Sequence, residues 1–176
     1  MRTSGAGRAD ARRSIQTLDE MKNHADSINQ FNSLLVDYLN TFNILETNIG
    51  LCISRLENNG IDAAYNKLKN LSCEKKIDYL YKIVRTEKKI KDIKELEDWC
   101  INAHKARNER NKYIHGCWSY LPHLEEGVEL VVSPWQKEKY GVKTCIRMSL
   151  GDLKDIVQSI SICSNNFQVI RKKHGI

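Results

Sequence analysis

Over residues 28–56, apolar side chains recur in steps of three and four: Ile28, Phe31, Leu34, Leu35, Tyr38, Leu39, Phe42, Leu45, Ile49, Cys52, Ile53 and Leu56. At 3.6 residues per turn this spacing places them along one face of an α-helix of roughly eight turns. An apolar stripe of that length is stable in water only when other elements cover it, and short connections downstream make further helices the natural cover. Asp26 or Ser27 can cap the start, and Asn58-Asn59-Gly60 ends the helix.

The rest of the chain supplies the partners. Ala63, Ala64, Tyr65 and Leu68 mark a shorter helix, and Ser72 offers a cap for another carrying Ile77, Leu80, Tyr81, Ile83 and Val84. A lysine-rich link through Lys88, Lys89 and Lys91 reads as a solvated turn. It leads to a helix starting near Asp92 or Ile93. After Gly116, Pro122, Gly127, Pro134 and Gly141 punctuate two β-branched runs, at 128–132 and 142–148, which predict a hairpin. Ser149-Leu-Gly-Asp152 then resembles a capping box ahead of a last helix through Leu153, Ile156, Val157, Ile160, Cys163, Phe167 and Ile170. Arg171, Lys172 and Lys173 stand near its end, where they oppose the helix dipole favourably. The expected class is all-α: an up-down bundle of four or five helices, with a small β-hairpin inserted before the last one.

Composition agrees with one folded domain. Apolar residues make up 41% and charged residues 28% of 176, with two prolines and nine glycines, which suits a helical globule better than a disordered chain. Residues 1–26 mix small, basic and polar types around a weak apolar pattern at Ile15, Leu18 and Met21, and read as a flexible basic extension to a domain at 27–176. Arg2, Arg8, Arg12 and Arg13 stand in that segment, and the chain as a whole carries +6 with a pI near 9.0. That charge suits a polyanionic partner without requiring one. No run of about eighteen apolar residues is present, so no membrane span is expected, and the N-terminus lacks the apolar stretch of a secretory signal. Six cysteines without a Cys-x-x-Cys pair read as reduced thiols of a cytoplasmic protein.

Chemistry concentrates at residues 107–118, Arg-Asn-Glu-Arg-Asn-Lys-Tyr-Ile-His-Gly-Cys-Trp. The apolar seam of this helix runs Ile93, Leu96, Cys100, Ala103, and then meets Arg107 and Arg110 before Ile114, so two arginines stand where the pattern asks for apolar groups. A neighbouring ridge carries His104, Asn108, Asn111 and His115. Gly116 is suited to end the helix in a left-handed conformation. Attack of an RNA 2′-hydroxyl on the adjacent phosphate needs a base, an acid and positive charge on the phosphoryl oxygens, and no metal. Histidine as a residue type titrates near neutrality, so His115 can serve as base or acid, with two copies across a dimer dividing the roles. Arg110 offers a planar cationic fork for the phosphate, and Asn111, four residues before His115, can hold the imidazole or touch phosphate.

Arg110-Asn111 followed by His115 resembles the Arg-x4-His motif of the HEPN superfamily (higher eukaryotes and prokaryotes nucleotide-binding domains), in which a polar residue often follows the arginine. The likeness extends to architecture over about residues 28–173, since that family is also a bundle of four to five helices with the motif near the end of its third main helix. It implies a metal-independent endoribonuclease with a toxin or phage-defence role, RNA as substrate, an active site where the motif helices of a homodimer meet, and an antitoxin or defence partner protein. Other members have lost activity and serve as nucleotide-binding or assembly modules. Where the subfamily paired with a nucleotidyltransferase antitoxin carries a tyrosine two residues after the motif histidine, this chain carries Cys117.

The candidate catalytic residues are therefore Arg110, His115 and Asn111, with Arg107, His104, Asn108, Tyr113 and Trp118 as secondary candidates for holding substrate; no cofactor or metal is expected. The plainer alternative is that Arg107 and Arg110 pair with acidic residues of a neighbouring helix, that His115 is satisfied by a last-turn carbonyl, and that Tyr113 and Trp118 are packing groups. A zinc site from Cys100, His104, His115 and Cys117 would have to span roughly 16 Å of helix between the two histidines, too far for one ion.

Overall fold

The computed structural model describes residues 6–87, 93–120, 127–132 and 145–176, with side chains described at 21–86, 93–118 and 146–176. Its spine is α1 (Ala6–Leu56), against which α2 (Ile61–Leu68), α3 (Cys73–Glu87), α4 (Ile93–His115) and α5 (Leu150–His174) all pack. The stripe read from the sequence is the buried face: Phe31, Tyr38, Phe42, Leu45, Ile49, Cys52, Ile53 and Leu56 are all in the core. Each such aliphatic or aromatic side chain contributes about 1.5–3 kcal/mol when fully withdrawn from water.

α1 does not start at Ile28. The backbone stays helical from Ala6 through Asp26 and Ser27, because extending an existing helix through good helix formers costs less than closing one and nucleating another. Among the described side chains of α1, residues 21–30 are exposed or half-buried and Phe31 is the first that is buried. At the other end Asn58 takes a left-handed φ of 54°, which stops α1 after Leu56 as expected.

The downstream helices follow their patterns. Ser72 caps α3 by accepting from the Lys75 amide at 3.3 Å, and Ile77, Leu80, Ile83 and Val84 are buried. Ser149 and Asp152 form a reciprocal capping box, the Asp152 amide donating to Ser149 Oγ at 3.1 Å and the Ser149 amide to Asp152 Oδ2 at 2.8 Å. α5 ends at a left-handed Gly175 with Arg171, Lys172, Lys173 and His174 in its last turn. Trp99 of α4 stacks on Phe167 of α5 at 4.4 Å and donates its indole N–H to the Cys163 carbonyl at 3.0 Å.

Between α4 and α5 lies a three-stranded antiparallel sheet, ordered β1 (Gly116–Tyr120), β2 (Gly127–Val132), β3 (Cys145–Ser149). The expected hairpin is β2 with β3, in a register that pairs Leu130 with Ile146. β1 was not expected: Gly116 leaves α4 directly into a strand and pairs with Val132. Trp118 anchors β1 to the bundle, its ring 4.8 Å from Phe31. The lysine link, the turn residues Pro122, Pro134 and Gly141, residues 142–144 and the side chains of Arg2, Arg8, Arg12, Arg13, Ile15 and Leu18 lie outside the described residues. Among the described residues no helix is long and apolar enough to cross a membrane.

Candidate active site

α4 meets α1 through small residues. Ala103 and Ala106 are buried and let the two helices approach closely enough for the Tyr38 hydroxyl to donate to the Ala106 carbonyl at 2.6 Å. The inward ridge of α4 runs Leu96, Trp99, Ala103, Ala106, Arg110 and Tyr113. Ile114, expected on the seam, is 42% exposed, and Tyr113 takes the buried place. The cause is geometric: a strict 3.5-residue pattern drifts by about 20° per heptad on a straight helix.

Both arginines stand beside this ridge. Arg107 forms an ion pair with Glu74 at the start of α3 and donates from Nη2 to Asn108 Oδ1 at 2.7 Å. Arg110 lies with its guanidinium carbon 5.8 Å from the centre of the Phe42 ring and donates to Asn111 Oδ1 at 3.2 Å. Among the described residues it has no carboxylate partner. The Nε of each arginine is buried without a hydrogen-bond partner among the described residues, which leaves donor capacity unused in a place where that is costly. For Arg107 the plain expectation of a structural ion pair is met; for Arg110 it is not.

The two arginines line a cavity of about 590 Å³ with Asn108 and Asn111, Glu46 of α1, and Ser72, Cys73 and Glu74 where α3 begins. Glu46 and the start of α3 went unread as site residues. The available signal was that Glu46 falls one turn after Phe42 on the α1 face and that Ser72 caps α3. Glu46 is itself held by Lys76 at 2.6 Å. Burial, with Glu46 adding to it and Lys76, Arg107 and Arg110 opposing, pushes the Cys73 thiol up to about 12, so it stays protonated near neutrality and is no nucleophile.

The remaining candidates are scattered. His115 is the last residue of α4, exposed, and does not line the cavity. His104 sits 3.1 Å from Asp78 Oδ1 and ties α4 to α3, a structural role. Tyr113 is buried, donates to Glu109 Oε2 at 3.0 Å and meets Tyr38 edge-on at 5.3 Å. Burial, reinforced by Glu109, holds both phenols well above their ordinary range. The Trp118 indole donates to the Tyr113 carbonyl at 3.3 Å. Tyr113 and Trp118 are thus packing groups that join α1, α4 and β1, and neither offers a free face to a base.

The four residues weighed as zinc ligands do not converge. Cys100 is buried, His104 is engaged by Asp78, and His115 and Cys117 are exposed at the far end of α4 and the start of β1. Among the described residues no group of three or more His, Cys, Asp or Glu side chains is placed to hold a metal ion. Cys52, Cys73, Cys100, Cys117 and Cys163 are free thiols. Compared with protein-family models, curated proteins and solved structures, the chain matches none.

Proposed function

We propose that this chain is a metal-independent endoribonuclease of HEPN type, working as a homodimer in a toxin or phage-defence role in the cytoplasm. The observation that carries the reading is Arg110: a guanidinium set into a cavity wall, free of any carboxylate among the described residues, with Asn111 beside it and an exposed His115 one turn further on. An arginine in that state is a ready clamp for a phosphodiester. In the reaction the 2′-oxygen of a ribose attacks the neighbouring phosphorus and its proton passes to one histidine. The 5′-oxygen of the next nucleotide leaves with a proton drawn from water, to which the histidine returns the one it took, and the products are a 2′,3′-cyclic phosphate and a 5′-hydroxyl. Arg110 stabilises the charge that grows on the phosphoryl oxygens.

Within one chain Arg110 and His115 point to different sides of α4, so the site is completed by a second copy that brings its own His115 to the first copy's Arg110. The test is incubation of the purified protein with mixed RNAs in chelator, followed by detection of new cyclic-phosphate ends. A second reading, an RNA-binding module that does not cut, is favoured by the position of His115 outside the Arg110 cavity. It predicts clean binding and no new ends.

A further inference from the structure

Glu46 lines the Arg110 cavity and is paired with Lys76 at 2.6 Å, and that pairing has a consequence for Arg110. Glu46 stands one turn beyond Phe42 on the same ridge of α1, about 6 Å along the axis. The Arg110 guanidinium lies over that Phe42 ring. Of the cations gathered here, Arg107 is taken by Glu74 and Lys76 by Glu46, which leaves Arg110 without a carboxylate among the described residues. Glu46, Arg107 and Arg110 line one cavity together with Cys73, whose thiol feels the charges of all three and of Lys76. Glu46 is 24% exposed and Lys76 17%, so neither charge is well served by water alone.

We infer that Lys76 is a positioning residue for the phosphate clamp: by holding Glu46 it keeps that carboxylate from neutralising Arg110. Without Lys76, Glu46 is a half-buried carboxylate lining the same cavity as Arg110, and desolvation favours pairing of the two. A Glu46–Arg110 pair occupies the fork that a phosphate would take, and it places a negative charge in the cavity mouth. Glu46 also lines a groove of about 510 Å³ between α1 and α2, and Lys76 lines that groove with it. The inference rests on the proposed reading of Arg110 as an RNA clamp.

The experiment is a double-mutant cycle on full-length protein, read as the Kd for a single-stranded oligoribonucleotide at fixed salt. Lys76→Met should weaken binding by about tenfold or more, the scale of one charge-assisted hydrogen-bond site. In a Glu46→Gln background the same Lys76→Met change should alter the Kd by less than about twofold, because there is no carboxylate left to capture Arg110. A general loss of charge would instead lower affinity equally in both backgrounds, and that additivity would overturn the inference. So would a Lys76→Met protein that binds as the wild type does, or one that loses its helical fold, since captured Glu46 should leave the fold intact. Failure of the wild-type protein to bind the oligonucleotide refutes the clamp reading itself and takes this inference with it.

Discussion

Arg110 and His115 leave α4 on different sides: five residues at ~100° each put them about 140° apart and ~7.5 Å along the axis. Arg110 faces Phe42 and the cavity, whereas His115 is exposed at the helix end. A clamp and a proton-transfer group so arranged cannot meet on one phosphate within a single chain, so the proposed chemistry requires two copies.

Mixing two inactive proteins tests that arrangement. Arg110→Ala and His115→Ala subunits, allowed to exchange, should form mixed dimers in which one of the two sites has both an intact arginine and an intact histidine. Activity should return to about a quarter of the wild-type level, since half the dimers are mixed and each has one good site. No recovery in a sample shown to contain mixed dimers would place both residues on the same chain's site or on none.

Trp99 joins α4 to α5 through both a ring stack and a hydrogen bond. Trp99→Ala removes a buried ring stacked on Phe167 and the indole hydrogen bond to Cys163, and should cost about 3–5 kcal/mol in chemical denaturation. A loss below about 1 kcal/mol would mean that the two helices do not pack through this pair.

Acid should weaken the start of α5 in a defined direction. Hydrogen bonds from the Ser149 backbone and hydroxyl hold the Asp152 carboxyl below its ordinary value of 3.8. A carboxylate whose folded pKa is depressed adds stability that is complete above its unfolded pKa and disappears as pH falls through the folded one. Asp152→Asn should therefore melt below the wild type at pH 7, and the gap should close as the pH is taken well below 3.8. A gap of equal size at both pH values would contradict the capping box.

Removing residues 1–25 should lower RNA affinity mainly at low salt, since the segment's arginines add phosphate contacts that salt screens. The buried core from Phe31 onward should keep its melting temperature. A fall of more than about 5 °C would show that the segment packs on the bundle.

Local pattern made the helices legible. The α1 stripe, the Ser72 cap and the Ser149–Asp152 box were readable because each depends on residues within a turn or two of one another. Three things were not. The early start of α1 is set by the cost of interrupting a helix, and Asp26-Ser27 looks like a cap in isolation. β1 follows α4 without a turn signal, and its strand character comes from pairing with β2, a partner in space. The Arg110 cavity is closed by Glu46 and by Ser72, Cys73 and Glu74, residues far from Arg110 in sequence that tertiary packing alone brings together. Arg110 and His115 were readable as candidates, but the side on which each leaves the folded helix was not.

The central claim, that Arg110 and His115 cut RNA, is tested most directly by counting cyclic-phosphate ends produced in chelator by wild type, Arg110→Ala, His115→Ala and His104→Ala. The wild type should cut. Arg110→Ala and His115→Ala should each cut about 10²- to 10⁴-fold less while melting close to the wild type. His104→Ala should stay near wild-type activity, losing at most about 1 kcal/mol of stability with its half-exposed contact to Asp78. Equal cleavage by wild type and His115→Ala, or none by the wild type, would contradict the account.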